Sequence, residues 1–395
     1  MAGKRFVYAD NAATTRVSAK ALEAALPFFS ESFGNPSSIH SCGMAAARAV
    51  LRARQSIAGA IGAGRVSEVY FTSGGTESDN WALRSGTASG AEKGRRHIVT
   101  TAIEHHAVLE TCSALEREGF EVTYLAPDRE GLITAGQVEA ALREDTAIVS
   151  VMTANNEIGT LQPVSEIGKL CRERGVLFHT DAVAAAGSLK IDVNAMNADM
   201  LTLSGHKLHA PKGVGVLYVR SGVELKSFMN GGSQERGRRA GTENVPAIVA
   251  LGEVISGINE SVAANSGRVT EMRDRLIRGL LEEPESRLNG SAVQRLSGNV
   301  NISFEGIEGE SLIMALDRYG ICASSGSACA SGSSEPSHVL SAIGLTRGLA
   351  KGSLRLTINE ENCDEDIDYI LRVVPEAVRR LRAGEAVWGA GTEIV

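Results

Sequence analysis

Residues 201–219 of this 395-residue chain read LTLSGHKLHAPKGVGVLYV. Two apolar runs, Met200–Leu203 and Val214–Val219, have the length and composition of buried strands, and a polar turn separates them. Lys207 lies in that turn, at the mouth of the first strand. Partial burial lowers the pKa of an amine and frees its lone pair, which suits it to form a Schiff base. Lys207 is therefore a candidate catalytic lysine, although a surface-turn lysine is the commoner interpretation of this feature alone.

A third apolar run precedes this stretch, within GVLFHTDAV at residues 175–183, and Asp181 stands at the end of it. The carboxyl ends of strands in an open α/β sheet face the crevice where ligands bind. Pyridoxal phosphate (PLP) needs a lysine for its imine and a carboxylate that keeps its ring nitrogen protonated. Lys207 and Asp181 supply both groups from two strand ends. Asp181 alone is equally typical of a helix cap or a turn.

Composition excludes several classes of protein. Charged residues make up 22% and hydrophobic residues 43%, which is ordinary for a globular chain, and the net charge of -7 leaves no nucleic-acid footprint. No apolar run reaches the ~18 residues of a membrane span, and the N-terminus lacks the pattern of a signal peptide. The six cysteines form no CxxC pair, which predicts a reducing cytoplasm and no metal site.

Strands alternate with helices from about residue 66 to residue 220, the pattern of a mostly parallel sheet with helices on both faces. Beyond about residue 259 the predicted helices and strands no longer alternate in this way and are typical of a smaller α+β domain. We predict a large α/β domain over residues 16–259, and a small α+β domain formed by residues 1–15 and 260–395.

Polar clusters at the ends of several predicted elements are candidate ligand contacts. The stretch Glu68–Trp81 predicts a strand, a glycine turn and a helix that opens at Thr76, where free N–H groups suit a phosphate. His105 opens a helix, where it is typical either of a solvated helix start or of a ring lying flat on a cofactor. Asn156 follows another strand, as a carboxylate ligand or a turn former.

Two glycine-rich segments are candidate functional loops. Residues 230–244, rich in glycine and arginine, predict a structureless loop. Cys329 lies in a run of Gly, Ser and Ala that predicts a mobile, exposed loop, which suits a nucleophile that carries a group away. Cys322 is the rival thiol, and its place near a strand end predicts a more fixed position.

Taken together, these stretches resemble the cysteine desulfurases of the NifS/IscS type, within the class V PLP-dependent transferases of aminotransferase fold type I. The resemblance covers nearly the whole chain, in order. The matching stretches are Tyr8-Ala-Asp-Asn-Ala-Ala-Thr-Thr15, Gly34-Asn-Pro-Ser-Ser38 with His40, Thr72-Ser-Gly-Gly-Thr-Glu-Ser-Asp-Asn80, Glu104-His105, Asn155-Asn-Glu-Ile-Gly159, His179-Thr-Asp-Ala182, Ser204-Gly-His-Lys207, Gln234–Asn244, Ser325-Gly-Ser-Ala-Cys329 and Arg355.

The resemblance implies a fold and a set of cofactor contacts. The fold would be the aspartate aminotransferase-like PLP fold type I, with a mostly parallel sheet of the seven-stranded type and a smaller domain that carries the catalytic cysteine. Lys207 would hold PLP as an imine and shuttle protons, Asp181 would pair with the ring nitrogen, and His105 would stack on the ring. The phosphate contacts would be Gly75, Thr76, Ser204, His206 and, from a partner subunit, Thr242.

The resemblance also implies a substrate site and a reaction. Asn156 would contact the cofactor and, with Arg355, the carboxylate of L-cysteine, Arg355 in bidentate fashion, and Asn35 would help to close that pocket. Cys329 would attack the sulfur, so that a persulfide forms on Cys329 and L-alanine leaves. The protein would be a cytoplasmic homodimer that supplies a sulfur acceptor or an iron–sulfur scaffold protein.

One departure from the family pattern affects the cofactor site. The family has a glutamine donor to the phenolic oxygen of PLP where this chain has Ala184, and a second, milder change places Ala210 where glycine is usual. Ala184 leaves other interpretations open: a selenocysteine lyase, a carbon–sulfur lyase, another class V activity, or a homologue of low activity retained as a sulfur-carrier scaffold.

Overall fold

The computed structural model describes residues 5–325 and 336–385. Within these ranges the strands are β1 Val7–Tyr8, β2 Val69–Thr72, β3 His97–Thr101, β4 Glu121–Leu125, β5 Thr146–Ser150, β6 Leu177–Asp181, β7 Met200–Ser204, β8 Gly215–Val219, β9 Ser286–Leu288, β10 Asn299–Phe304, β11 Ile321–Cys322 and β12 Ser353–Thr357. The helices are α1 Ala19–Ala25, α2 Pro27–Ser30, α3 Ser41–Ile61, α4 Gly75–Ala91, α5 His106–Arg117, α6 Ala135–Ala141, α7 Val164–Arg174, α8 Gln234–Gly237, α9 Val245–Ile255, α10 Ile258–Leu280, α11 Gly309–Arg318, α12 His338–Ala342, α13 Arg347–Lys351 and α14 Asp364–Arg382. Short 3-10 turns lie at Val66–Glu68 and Gly205–Lys207.

The large sheet has seven strands in the order β2-β8-β7-β6-β5-β3-β4. Its strands run parallel except β8, which is antiparallel to both β2 and β7. The reversal follows from the short connection over residues 205–214, since a parallel crossover needs a dozen or more residues. The strands β3, β5 and β7 are buried throughout, as a sheet covered on both faces requires. The predicted mostly parallel α/β fold is confirmed.

Small residues allow one helix layer to lie close to this sheet. A Cβ atom at Gly90 of α4 would lie 2.4 Å from the Cβ of Ala147 in β5, so only glycine permits this approach. The same helix buries Trp81, whose Nε1 donates to the backbone carbonyl of Lys226 at 2.8 Å. The start of α4 is therefore fixed relative to the strand ends beside it.

A second, antiparallel sheet has the order β12-β10-β9 and a core of its own with α10, α11 and α14. The N-terminal strand β1 pairs with β11 and packs into this second core. That pairing joins residues 7 and 8 to residues 321 and 322. The domain boundaries themselves stay a prediction, and residue 259 lies in the first turn of α10.

The first helical segments are short. Ser18 caps α1 by accepting the N–H of Ala21, and a new helix, α2, begins at Pro27. Among the described residues no single helix is long and apolar enough to cross a membrane, although the bent pair Val245–Ile255 and Ile258–Leu280 passes that test together.

Candidate active site

A cavity of about 360 Å³ opens at the carboxyl ends of β6 and β7 and the N-terminus of α4. Ligands of open α/β sheets bind at this edge, and the volume lies in the roughly 300–1,000 Å³ range of ligand pockets. The lining residues are Ala12, Ala13, Gly75, Thr76, Asp79, His105, Met152, Asn156, Asp181, Val183, Ala184, Ser204, His206, Lys207 and Arg355. Predicted site residues from well-separated stretches of the chain therefore meet in one place.

Lys207 ends the 3-10 turn that directly follows β7. Its Nζ donates hydrogen bonds to the backbone carbonyl oxygens of Ala12 and Ala13, the second at 2.7 Å. Both acceptors belong to the Tyr8–Thr15 stretch, which is part of the family resemblance but was given no role there. The N-terminal segment thus holds the amine of Lys207 at the wall of the cavity.

Asp181 is the last residue of β6 and lines the same cavity, with 6% of its surface exposed. Its Oδ1 accepts the backbone N–H of Val183 at 2.8 Å. Burial raises the pKa of Asp181, while the Val183 hydrogen bond and the charge of Lys207 act against the rise. A cationic group placed against this carboxyl would favour its ionised form.

His105 both caps α5 and lines the cavity. Its Nδ1 accepts the N–H of Ala107 at 3.1 Å, so the lone pair of the neutral ring lies on Nδ1 and the proton on Nε2. Burial, together with the charges of His106 and Lys207, lowers the pKa of His105 to about 4. The ring is therefore neutral at pH 7, in an orientation fixed by the helix cap.

The turn between β2 and α4 leaves space for an anion. A Cβ atom at Gly75 would lie 2.9 Å from Cγ2 of Val183, so a side chain here would fill the cradle. The first turn of α4 offers backbone N–H groups and the positive end of the helix dipole. Ser204 lies beside this turn, since a Cβ atom at Gly75 would be 3.6 Å from its Cβ. His206 lines the same cavity, and burial, with the charge of Lys207, lowers the pKa of His206 to about 4.

Arg355 in β12 is 3% exposed and points its guanidinium into the cavity wall. Its Nη2 lies 3.1 Å from Oδ1 of Asp10, and its Nη1 donates to the backbone carbonyl of Asn156 at 3.2 Å. Its Nε is buried and has no hydrogen-bond partner among the described residues. Asp10 also accepts the hydroxyl of Ser324 at 2.8 Å. An unsatisfied buried N–H costs free energy, so a carboxylate that reached Nε would be stabilised.

Three predicted residues are not among those that line this cavity. Asn35 and Thr242 are exposed, and Oδ1 of Asn35 accepts the N–H of Ser37 at 2.9 Å. Cys329 lies outside the described residues. The roles given to these three residues stay predictions, and that of Thr242 requires a second subunit.

The expectation of a structureless loop over residues 230–244 is wrong, because a buried ion pair anchors it. Glu235 is 5% exposed, and its carboxylate meets the guanidinium of Arg54 at 2.6 and 2.8 Å. Glu235 and Arg236 adopt left-handed backbone angles, with φ of 44° and 60°. Such strain persists only where surrounding contacts fix it, and the ion pair supplies them.

The arginines of this loop are used inside the chain, which explains its basic cluster. Arg236 lies 3.8 Å from the ring centre of Tyr70, and Arg239 forms two hydrogen bonds to Glu77, at 2.8 and 3.0 Å. Glu77 stands in the first turn of α4, next to Thr76. The loop is therefore tied to the anion turn. Its partners lie more than 150 residues away in sequence, so no local pattern could have revealed them.

Ala184 lies between the main cavity and a second cavity of about 90 Å³. The second cavity is also lined by Asn11, Lys207 and Asn299. A longer side chain at position 184 would have room to extend there. The sequence departure thus corresponds to open space beside the candidate lysine.

Buried carboxyl groups surround the cavity, and the sequence reasoning gave them no role. Oε1 of Glu104 accepts Oγ1 of Thr101 at 2.8 Å and the N–H of Met152 at 3.0 Å, and burial raises the pKa of Glu104 to about 8. Asp79 is 1% exposed and lines the cavity. The sequence did offer one sign of them, because both lie next to predicted site residues: Asp79 is in the Thr72–Asn80 motif, and Glu104 directly precedes His105.

This arrangement fits pyridoxal phosphate. The cavity holds an amine, a buried carboxyl and an anion turn that a Cβ atom would block, and the guanidinium of Arg355, with a buried Nε–H that has no partner among the described residues, lies in its wall. Within residues 5–325 and 336–385 no group of three or more His, Cys, Asp and Glu side chains is placed to hold a metal ion.

Comparisons with known proteins agree with this chemistry. The family model described as aminotransferase class-V matches residues 7–370, and the chain belongs to this family, whose members depend on PLP.

Within that family the similar proteins are cysteine desulfurases. "Cysteine desulfurase IscS" of Methanosarcina thermophila is 51% identical over 95% of this chain and 93% of its own length, and the Clostridium botulinum protein of that name is 49% identical over 97% and 96%. A solved structure titled "NIFS-LIKE PROTEIN" has a TM-score of 0.89 and 36% identity over 95% of this chain and all of its own. Another, "SspA in complex with cysteine", has a TM-score of 0.79 and 40% identity over 89% and 98%. The chain is thus a member of the cysteine desulfurase group, and these relatives do not favour the other class V activities.

Proposed function

We propose that this protein converts L-cysteine to L-alanine with PLP and leaves the sulfur as a persulfide on Cys329. The observation that carries the proposal is the single cavity in which Lys207, Asp181, the turn at Gly75 and Arg355 meet. The family membership supplies the reaction class. When bound, PLP would supply an electron sink for the bonds around the substrate's α-carbon.

Each wall of the cavity has a proposed task in holding the cofactor. Lys207 supplies the amine, Asp181 the carboxylate for the ring nitrogen, and His105 the flat neutral ring. The phosphate would lie at the N-terminus of α4, with Gly75 and Thr76, and against Ser204 and His206. The carbonyls of Ala12 and Ala13 orient Nζ of Lys207, which places this amine to move a proton on the substrate side of the cavity.

Arg355 and Asn156 are the proposed contacts for the substrate's carboxylate. Asp10 and the Asn156 carbonyl hold the two terminal nitrogens of Arg355, so the guanidinium is oriented before the substrate arrives. Its unpartnered Nε–H then meets the carboxylate in a charge-assisted hydrogen bond.

Cys329 is the proposed sulfur carrier. Its thiolate would form a bond to the sulfur of the substrate cysteine while the substrate's carbon–sulfur bond breaks. A proton delivered to that carbon completes L-alanine, and Cys329 keeps the extra sulfur. Transfer of this sulfur to an acceptor protein, such as an iron–sulfur scaffold, would regenerate the thiol.

We also propose that the active unit is a homodimer in the cytoplasm. Thr242 is exposed and is not among the residues that line the cavity with Lys207, which supports a contact across subunits. Large apolar side chains near the start of α3 are exposed, with Phe29 at 68%, Phe33 at 71% and Ile39 at 93%. Such a patch is typical of an interface.

Mixed dimers test the shared site. Neither the Thr242→Ala nor the Lys207→Ala protein should be fully active, but hybrids of the two should regain activity, because one of their two sites keeps both residues. Mixed dimers verified by mass spectrometry that show no gain would exclude the contact.

Product analysis tests the activity itself. Wild-type protein with PLP and L-cysteine should release L-alanine and, with a thiol reductant, sulfide in equal amounts. Lys207→Ala should release neither and should lose its visible absorbance on dialysis. Alanine release by Lys207→Ala at the wild-type rate would show that another group does the chemistry.

A further inference from the structure

We propose that Asp79 is a positioning residue that keeps a proton on its carboxyl group, so that the negative charge of the buried Asp79–Asp181 pair stays on Asp181. Because Asp181 is taken as the partner of the cofactor's ring nitrogen, this proposal rests on the proposed function. It gives a task to a side chain that lines the cavity and has none so far.

Asp79 and Asp181 share the cavity without sharing their surroundings. Asp79 lies in the second turn of α4 and is 1% exposed, while Asp181 ends β6 and is 6% exposed. Both line the cavity. Oδ1 of Asp79 has no hydrogen-bond partner in the described part of the chain. Oδ1 of Asp181 accepts the Val183 N–H at 2.8 Å, and Lys207 acts on it as a nearby positive charge.

The groups that face Asp79 come from β6, from β7 and from the segment after β3. His179 and Asp181 belong to β6, Thr202 belongs to β7, and Glu104 follows β3. His179 lies 3.6 Å from Oδ1 of Asp79 but is neutral, since burial lowers its pKa to about 3. Its ring nitrogens bond to the hydroxyls of Ser150 at 2.9 Å and Thr202 at 3.1 Å. Asp181, when ionised, disfavours a second negative charge at Asp79, whereas Glu104 is held neutral by burial, which raises its pKa to about 8.

Two carboxyls in one buried site cannot both ionise without a large electrostatic cost, so one keeps its proton. Asp181 has an N–H donor and a nearby ammonium group, whereas Asp79 has the Thr202 hydroxyl and an orphaned oxygen. Burial, followed by the charge of Asp181, accordingly raises the pKa of Asp79 well above its ordinary value. The proton belongs on Asp79, and the single charge is then available to a cationic ring nitrogen.

Two amide variants separate the roles of these carboxyls, because asparagine has the shape of a neutral aspartic acid. The holoenzyme is dialysed and the PLP that remains is followed by its visible absorbance. Asp79→Asn should lose PLP at nearly the wild-type rate, whereas Asp181→Asn should lose it roughly tenfold faster or more, as expected when a hydrogen bond to a charged group is removed. Equal acceleration in both variants would show that Asp79 carries charge, and would overturn the proposal.

Infrared spectroscopy reads the proton directly and does not depend on PLP. The wild-type protein at pH 7 should show the carbonyl band of a protonated carboxylic acid, and Asp79→Asn should lose part of it. Glu104→Gln identifies the part that belongs to Glu104, whose pKa burial raises to about 8. A band unchanged by Asp79→Asn would refute the proton on Asp79, whereas absence of bound PLP in wild-type protein would refute the proposed function instead.

Discussion

Arg355→Lys isolates the proposed contact with the substrate's carboxylate. Lysine keeps the positive charge beside Asp10 but lacks the Nε–H that stands unpartnered in the cavity wall. The expected loss is therefore one charge-assisted hydrogen bond, worth about 1.5–3 kcal/mol. At about 1.4 kcal/mol per factor of ten, kcat/KM for L-cysteine should fall about 10- to 150-fold, mainly through KM.

A substrate without a carboxylate provides the control. Cysteamine has the amine and thiol of cysteine but no carboxylate, so it should bind the wild-type and Arg355→Lys enzymes with similar affinity. The measurement is the change in the cofactor's visible spectrum during titration with each compound. If Arg355→Lys weakens cysteamine as strongly as cysteine, Arg355 supports the fold of the cavity and does not bind the carboxylate.

Three further changes have defined outcomes. Glu235→Gln leaves the guanidinium of Arg54 buried without its charged partner, so the free energy of unfolding in urea should fall by about 3–5 kcal/mol. The control, Arg143→Met, breaks an exposed ion pair and should lower it by less than about 1 kcal/mol. Equal losses would contradict the anchoring role. Ala184→Gln places a donor beside the cavity, so the midpoint of a pH titration of the cofactor's absorbance should move, and superimposable curves would refute this. Wild-type stability should fall as pH rises from about 4.5 to about 8, because the unfolded Glu104 carboxyl ionises while the buried one stays protonated; Glu104→Gln should show a smaller fall, and identical pH profiles would count against a buried, protonated Glu104.

The sequence predicted the alternation of strands and helices over about residues 66–220 because several strands, such as β5, β7 and β8, are largely apolar runs. The order of the strands, including the antiparallel β8, depends on pairing between distant segments, and the apolar pattern does not contain that information.

For the site, the sequence predicted side chains at strand ends and missed contacts made across the chain. Lys207 and Asp181 follow strands, so both were visible. The support of Lys207 by the Ala12 and Ala13 carbonyls, and of Arg355 by Asp10, joins residues roughly 200 to 350 positions apart. A backbone carbonyl also carries no residue-type signal.

The most direct measurement is mass spectrometry of peptides from the enzyme after brief exposure to L-cysteine. The peptide with Cys329 should gain the mass of one sulfur atom, and Cys329→Ser should keep PLP but carry no extra sulfur. Cys322, the rival thiol, is part-buried, and burial and the nearby carboxylates of Asp317 and Asp10 raise its pKa, which disfavours the reactive thiolate. Extra sulfur on Cys322 and none on Cys329 would contradict the proposed mechanism.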